Sequence, residues 1–180
     1  MPDVRLVEGA LVLRGLSASD ATAVHDACND ETTRQWLPLP RPYGLDVAMA
    51  WCQELSPAIR EEGQGLVRAV EVHGRLVACI DAKRLDWVGR TAEVGYWAVP
   101  AHRGRGHTTA AVELFSRWLL SEQGFERIEL RAAVGNVASQ RVAQKAGFLQ
   151  EGILRNAGYV DQGRVDLVVF SRVRSDLTMP

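Results

Sequence analysis

Val99-Pro100-Ala101-His102-Arg103-Gly104-Arg105-Gly106-His107-Thr108 is the stretch on which the reading of this chain turns. A run of β-formers, Thr91 to Val99, stops at Pro100, and an apolar-striped helix opens at Thr108. Between them lies a basic loop with glycines. Glycine has no Cβ and takes positive φ readily, so the backbone can come close to a ligand there. The first N–H groups of the helix have no intrahelical partner and carry the positive end of its dipole. Loop and helix tip together make a cradle for phosphate, to which Arg103, Arg105 and His107 add charge. A P-loop needs Gly-Lys-Ser/Thr, a triplet this chain does not contain. A dinucleotide fingerprint needs Gly-x-Gly-x-x-Gly near a first strand, with an acid ~20 residues later. Here the third position is Thr109 and the loop lies past mid-chain. On the loop alone, an ordinary strand–helix connection with solvated arginines stays open beside the phosphate cradle.

Outward from the loop, the chain alternates strands and helices. Downstream, Thr108 to Gln123 is a helix with the stripe Ala111, Val112, Phe115, Trp118 and Leu119, stopped at Gly124. Arg127 to Val134 reads as a strand, Asn136 to Ala146 as a helix, and Leu149–Leu154 and Val165–Val173 as an antiparallel pair. Upstream, Leu66–Val72 and Leu76–Ala82 flank His73-Gly74-Arg75, a hairpin signal. Leu11-Val12-Leu13 is a first strand, and Ser17 with Asp20 has the spacing of a capping box for a helix over 18–29. Leu37 to Pro42 holds three of the seven prolines and reads as a stiff loop, followed by a helix over Asp46–Leu55. The pattern predicts an α/β fold with one mixed, mostly antiparallel central sheet and helices on both faces, as a single domain over 1–180.

Composition narrows the function classes. The 180 residues suit one domain with a full core. Twenty-one basic against 22 acidic residues give net charge −1, which removes the electrostatic case for nucleic acid or an anionic membrane surface as partner. No apolar run approaches the roughly 18 residues of a membrane span, and the start lacks a signal-peptide layout, so a cytoplasmic location is expected. Cys28, Cys52 and Cys79 are odd in number and far apart, which argues against a disulfide framework. His25 and Cys28 lie on one helix face but have no second ligand pair, so no metal is expected.

Several segments carry a resemblance. Arg103-Gly104-Arg105-Gly106-His107-Thr108 resembles the Arg/Gln-x-x-Gly-x-Gly/Ala loop of the GNAT superfamily of N-acetyltransferases, which holds the pyrophosphate of acetyl-coenzyme A. Glu93-Val94-Gly95-Tyr96-Trp97 looks like the Glu-Ile-Gly-Tyr-Trp strand of its RimJ/RimL-type branch. Asn136, Ser139, Arg141-Val142, Lys145 and Gly147-Phe148 are similar to that branch's Asn-x-x-Ser-x-x-Val-x-x-Lys-x-Gly-Phe segment, and Glu151-Gly152, Leu154-Arg155 and Asp166 to its closing pattern. The likeness covers nearly the whole chain and is sharpest from about 92 to 170. Two departures bear on chemistry: Thr108 replaces a small loop residue, and Phe170 replaces a late tyrosine common in the branch.

The resemblance implies an acyl-coenzyme A-dependent N-acetyltransferase acting by direct attack in a ternary complex. It implies that Trp97, Val99, residues 103–108 and Asn136 bind acetyl-coenzyme A, with strands splayed and a bulge near Trp97–Val99 offering a backbone N–H to the thioester oxygen. Glu93 is the candidate base, against an ordinary strand residue. Ser139 is the candidate partner of the departing thiolate, against a helix-cap serine. Asn136 binds the pantetheine arm or caps the same helix. Tyr159 is an alternative proton donor. Trp36, Leu37 and Tyr43 are the candidate acceptor-site residues. The acceptor is expected to be a protein N-terminus; a small amine such as an antibiotic or polyamine, and a non-catalytic acyl-coenzyme A sensor, are the alternatives. A homodimer is also implied.

Overall fold

Alternation decides which face each strand buries. In Arg127–Ala133, Ile128, Leu130 and Ala132 are buried while Arg127, Glu129 and Arg131 are not. The computed structural model describes residues 1–177. Its strands are Leu6–Glu8 (β1), Leu11–Arg14 (β2), Leu66–Val72 (β3), Arg75–Asp86 (β4), Thr91–Ala98 (β5), Arg127–Ala133 (β6), Leu149–Val160 (β7) and Gly163–Val173 (β8). They form one sheet of order β1-β2-β3-β4-β5-β6-β8-β7, antiparallel throughout except for the β5–β6 pair. The helices are Ala21–Asn29 (α1), Glu31–Trp36 (α2), Leu45–Ala50 (α3), Ser56–Glu61 (α4), His107–Ser121 (α5) and Val137–Lys145 (α6).

Helices cover both faces, as the pattern predicts. Phe115 and Leu119 of α5 and Ala143 of α6 pack on Leu66, Val70, Ile80, Val94, Ile128, Leu130 and Phe170. Losing one such aromatic costs about 3–5 kcal/mol. On the opposite face, Ala21, Val24 and Cys28 of α1 and Ala48 of α3 pack with Ala69, Leu76 and the partly buried Trp97. Among the described residues, no helix is long and apolar enough to cross a membrane.

The structure adds elements at the short, weakly patterned places. β1 has three residues and α2 six, too few for a period to declare itself. The helix expected to end at Leu55 runs on: α3 passes through a π-helical turn, Trp51–Leu55, into α4. Pro57 stands just after that turn, where its missing N–H interrupts the regular α ladder. His73 and Gly74 both have positive φ, which two-residue hairpin turns require.

One feature of the sheet prepares the site. β5 pairs with β6 only over Thr91–Glu93 against Arg127–Glu129. Beyond Glu93, β5 stays with β4 as far as Ala98↔Ala78, while β6 runs beside β8 to Ala133↔Leu167. The two parallel strands therefore part. No bulge accompanies the split: the irregularity between β4 and β5 lies at Lys83/Asp86, away from Trp97–Val99.

Candidate functional site

The loop between β5 and α5 has the geometry its glycines suggest. Gly104 and Gly106 have φ of +73 and +83, and a Cβ built on either meets nothing within 4 Å. The space above both is open. Gly106 is the N-cap of α5 and brings no side chain to the first-turn N–H groups. Two other helices differ: Asp30 caps α2 by accepting from Thr33 N–H at 2.9 Å, and Asn136 caps α6 by accepting from Ser139 N–H at 3.1 Å. The longest of the described helices is thus left uncapped, over a glycine loop, which suits an external anion. Positive charge gathers there. The His102 imidazole is pushed down, first by burial and then by Arg105, His107 and Arg75, and the His102 and His107 rings are 6.5 Å apart.

Arg103 makes its contacts within the chain. Its guanidinium forms an ion pair with Asp30 and donates to Thr33 Oγ1 at 2.7 Å. It ties the loop to the start of α2. Arg105 and Gly104 are exposed, and His107 and Thr108 are half-buried in the first turn of α5.

Strand register settles which backbone groups face the gap between β5 and β6. Val99 N–H donates to Val77 carbonyl at 2.9 Å, and Val99 carbonyl accepts from His102 N–H at 2.9 Å. By the alternation of an antiparallel ladder, Trp97 also turns its N–H toward β4. Val99 and Trp97 therefore have no N–H for the gap. The N–H groups of Tyr96 and Ala98 point the other way, into it.

Ser139 stands across that gap. Its hydroxyl is 2.8 Å from the Tyr96 hydroxyl, which also donates to Ser139 carbonyl at 3.1 Å. Burial pushes Tyr96 up to about 12, offset in part by the Ser139 hydrogen bond. Asn136 makes the helix cap, so the Ser139 hydroxyl is not spent on one. Tyr159 lies elsewhere, opposite Arg164 near the β7–β8 turn and 63% exposed. The tyrosine that meets Ser139 is Tyr96, which stands inside the resembling motif yet has no role in the sequence reading. Phe170 is fully buried opposite Leu130 in the core.

Glu93 is 9% exposed and held by cations: Arg84 at 2.9 Å, Arg131 at 3.4 Å and Lys83 at 3.8 Å. To act as a base, this carboxylate would have to open one of those contacts. It shares its face of β5 with Gly95 and Trp97, the side on which α1 and α3 pack.

The acceptor-site expectation divides. Trp36 is at the gap's rim: its Cη2 lies 3.1 Å from where a Cβ on Gly135 would stand, beside Asn136. Leu37 is half-buried and its N–H donates to Thr33 carbonyl at 3.1 Å, closing the C-terminal end of α2. Tyr43 lies deeper. It is a core residue at 7% exposure, its carbonyl accepts from Asn29 Nδ2 at 2.8 Å, and burial followed by Cys28 raises its hydroxyl. Its apolar ring is better buried than wet, which the prolines around it concealed.

A cleft of about 640 Å³ lies along the other side of α2. Asn29, Glu31, Arg34 and Gln35 line one wall, Arg41 another, and Asp161 and Gln162 of the β7–β8 turn close it; Arg41 and Asp161 form an ion pair. No local pattern in the sequence marks these residues, because they come from two segments more than a hundred residues apart, 29–41 and 161–162.

The three thiols are buried and free. Burial raises Cys28 and Cys52 to about 11 and Cys79 well above its ordinary value, so each stays a thiol near neutral pH. Among the described residues, no three His, Cys, Asp or Glu side chains are grouped to hold a metal ion.

A family model described as an acetyltransferase (GNAT) domain matches residues 10–149. The chain is 35% identical over 112 residues to the putative ribosomal N-acetyltransferase YdaF of Bacillus subtilis, covering 62% of this chain and 61% of that protein, under two thirds of its length. It is 30% identical over 168 residues to the uncharacterized N-acetyltransferase YoaA of the same organism, covering 91% and 93%. RimJ of Mycobacterium smegmatis, solved in complex with CoA-disulfide, superposes with TM-score 0.86 at 22% identity over 94% of this chain and 84% of that one, a likeness of fold.

Proposed function

The chain belongs to the GNAT acetyltransferase family, and on that premise we propose that it transfers the acetyl group of acetyl-coenzyme A to the α-amino group of a protein N-terminus. The observation that carries this reading is one continuous path. An uncapped α5 tip with open space over Gly104 and Gly106 leads to a gap between β5 and β6, and Ser139 stands in it. Those residues fit a long ligand with a diphosphate at one end and a thioester at the other. When bound, acetyl-coenzyme A supplies the activated acetyl group.

The chain's own groups divide the work. The first-turn N–H groups of α5, with Arg105 and His107 beside them, bind the diphosphate. Ala98 N–H is aimed where the thioester oxygen gathers negative charge. The Ser139 hydroxyl donates to the departing sulfur. Trp36 closes the rim over Gly135. No cysteine takes the acetyl group, since a buried thiol with its pKa near 11 is a poor nucleophile at pH 7. Attack is direct.

Two features support an α-amine over a polyamine or lysine. Glu93 is bound up in ion pairs, which suits an acceptor needing little deprotonation. An α-amino group with pKa about 8 is roughly a tenth neutral at pH 7, whereas a lysine near 10.4 is almost wholly charged. The cleft beside α2 also balances Glu31 and Asp161 with Arg34 and Arg41, where a polycation calls for a surplus of acids. The pairing of two copies belongs to the same proposal, supported by the exposed Leu149, Ile153 and Leu154 of edge strand β7; a solution mass of one chain would contradict it.

The test is release of free coenzyme A thiol with a panel of N-terminal peptides, lysine peptides and polyamines, followed against pH. An N-terminal peptide is expected to be fastest, with kcat/KM rising to an apparent pKa near 8. Preference for polyamines, or a rate still climbing above pH 9, would refute the acceptor class.

A further inference from the structure

We propose that Tyr96 is a positioning residue for acetyl transfer: its hydroxyl holds that of Ser139 so that the Ser139 proton meets the sulfur leaving into the gap between β5 and β6. The inference rests on the acetyl-transfer reading above and concerns a residue that reading leaves without a role.

The geometry is specific. Tyr96 stands three residues past the last β5–β6 pair, where the strands have parted. Its side chain lies on the α5–α6 face of β5, and its hydroxyl crosses to α6 to meet Ser139 Oγ at 2.8 Å and Ser139 carbonyl at 3.1 Å. The backbone N–H of the same serine is fixed by Asn136 Oδ1 at 3.1 Å. Ser139 is thus held at its amide, carbonyl and hydroxyl by two side chains. A serine hydroxyl rotates freely until a neighbour fills one of its sites. The single Tyr96 proton is shared between the Ser139 carbonyl and Oγ, and with it on Oγ the Ser139 proton is left to point away from Tyr96. A phenylalanine would fill the same space, so packing alone does not call for the hydroxyl.

The step balances without a proton from tyrosine. The amine nitrogen bonds to the carbonyl carbon, the carbon–sulfur bond breaks with its electron pair on sulfur, the ammonium gives its proton to water, and the thiolate leaves or takes a proton from water. Tyr96 ends as it began. Burial supports this, because a hydroxyl raised to about 12 is a weaker acid than an alkyl thiol and does not protonate its thiolate.

The experiment uses the full chain, acetyl-coenzyme A and the best acceptor of the panel. Tyr96→Phe is expected to lower kcat about 3- to 10-fold, one hydrogen bond's worth, with coenzyme A Kd and acceptor KM within about twofold of wild type. In a Ser139→Ala background the same substitution should cost nothing more, because the two act as a unit. Unchanged kcat in Y96F, or losses that multiply in the double variant, would overturn the proposal. Should Y96F melt below the assay temperature, the serine decides. Ser139→Ala must then lose kcat, with Ser139→Thr, which keeps a hydroxyl, retaining several-fold more; an S139A enzyme as fast as wild type would overturn it. A wild-type chain that binds coenzyme A but releases no thiol with any acceptor would instead remove the acetyl-transfer reading itself, and this inference with it.

Discussion

Replacing Gly106 by alanine separates the fold's need for this residue from the ligand's. Gly106 sits at φ +83 and ψ −9, and its built Cβ meets nothing within 4 Å. The protein alone therefore suffers no clash, only the left-handed backbone, about 1–2 kcal/mol. For a chain of this length that is a fall in Tm of about 2–8 °C. Gly63 supplies the control: its φ is +71, a Cβ there also meets nothing within 4 Å, and it lies in the α4–β3 connection. The two alanine variants should melt alike. They should differ in coenzyme A affinity, because at Gly106 the methyl group occupies the space through which a diphosphate reaches the α5 amides. One charge-assisted hydrogen bond lost is about 1.5–3 kcal/mol, or roughly 10- to 100-fold in Kd. Calorimetric titration with coenzyme A beside a thermal melt reads both quantities. Equal coenzyme A affinity in G106A and G63A would refute the assignment of this loop.

Arg103→Ala tests the anchor between the loop and α2. With the Asp30 and Thr33 contacts gone, acceptor KM is expected to rise about 3- to 10-fold while coenzyme A Kd changes less than about threefold; a larger loss of coenzyme affinity would return Arg103 to phosphate binding. Acid stability follows Glu151, which Arg127 and then Ser171 hold down at about 2 against an ordinary 4.5. A lowered folded-state pKa stabilises fully above about 4.5, and that contribution is lost as pH falls toward 2. The pair is largely exposed, so it is worth less than about 1 kcal/mol. Glu151→Gln should melt nearer to wild type at pH 2.5 than at pH 6, and an equal gap at both would contradict this.

Local chemistry was readable in the chain, and long-range contact was not. The stripe Ala111, Val112, Phe115, Trp118 and Leu119 announces α5 because a helix writes its buried face at a fixed period. Asn136 and Ser139 declare a helix start because capping acts over three residues. The Tyr96–Ser139 bond spans 43 residues and the Arg103–Asp30 pair 73, and no spacing rule reaches that far. Tyr43 misled for a related reason. The resemblance puts Tyr43 at the acceptor site, but the loop folds back and lodges it against Cys28. The cleft beside α2 exists only once the β7–β8 turn arrives at α1 and α2.

Acetyl transfer here depends on where coenzyme A lies, so a crystal structure of the protein with coenzyme A bound is the most direct test. The diphosphate oxygens are expected about 3 Å from the backbone nitrogens of residues 104–108, with the sulfur between β5 and α6 within reach of the Ser139 hydroxyl. A coenzyme lodged elsewhere, with the α5 tip facing only solvent and the β5–β6 gap closed, would contradict the central claim.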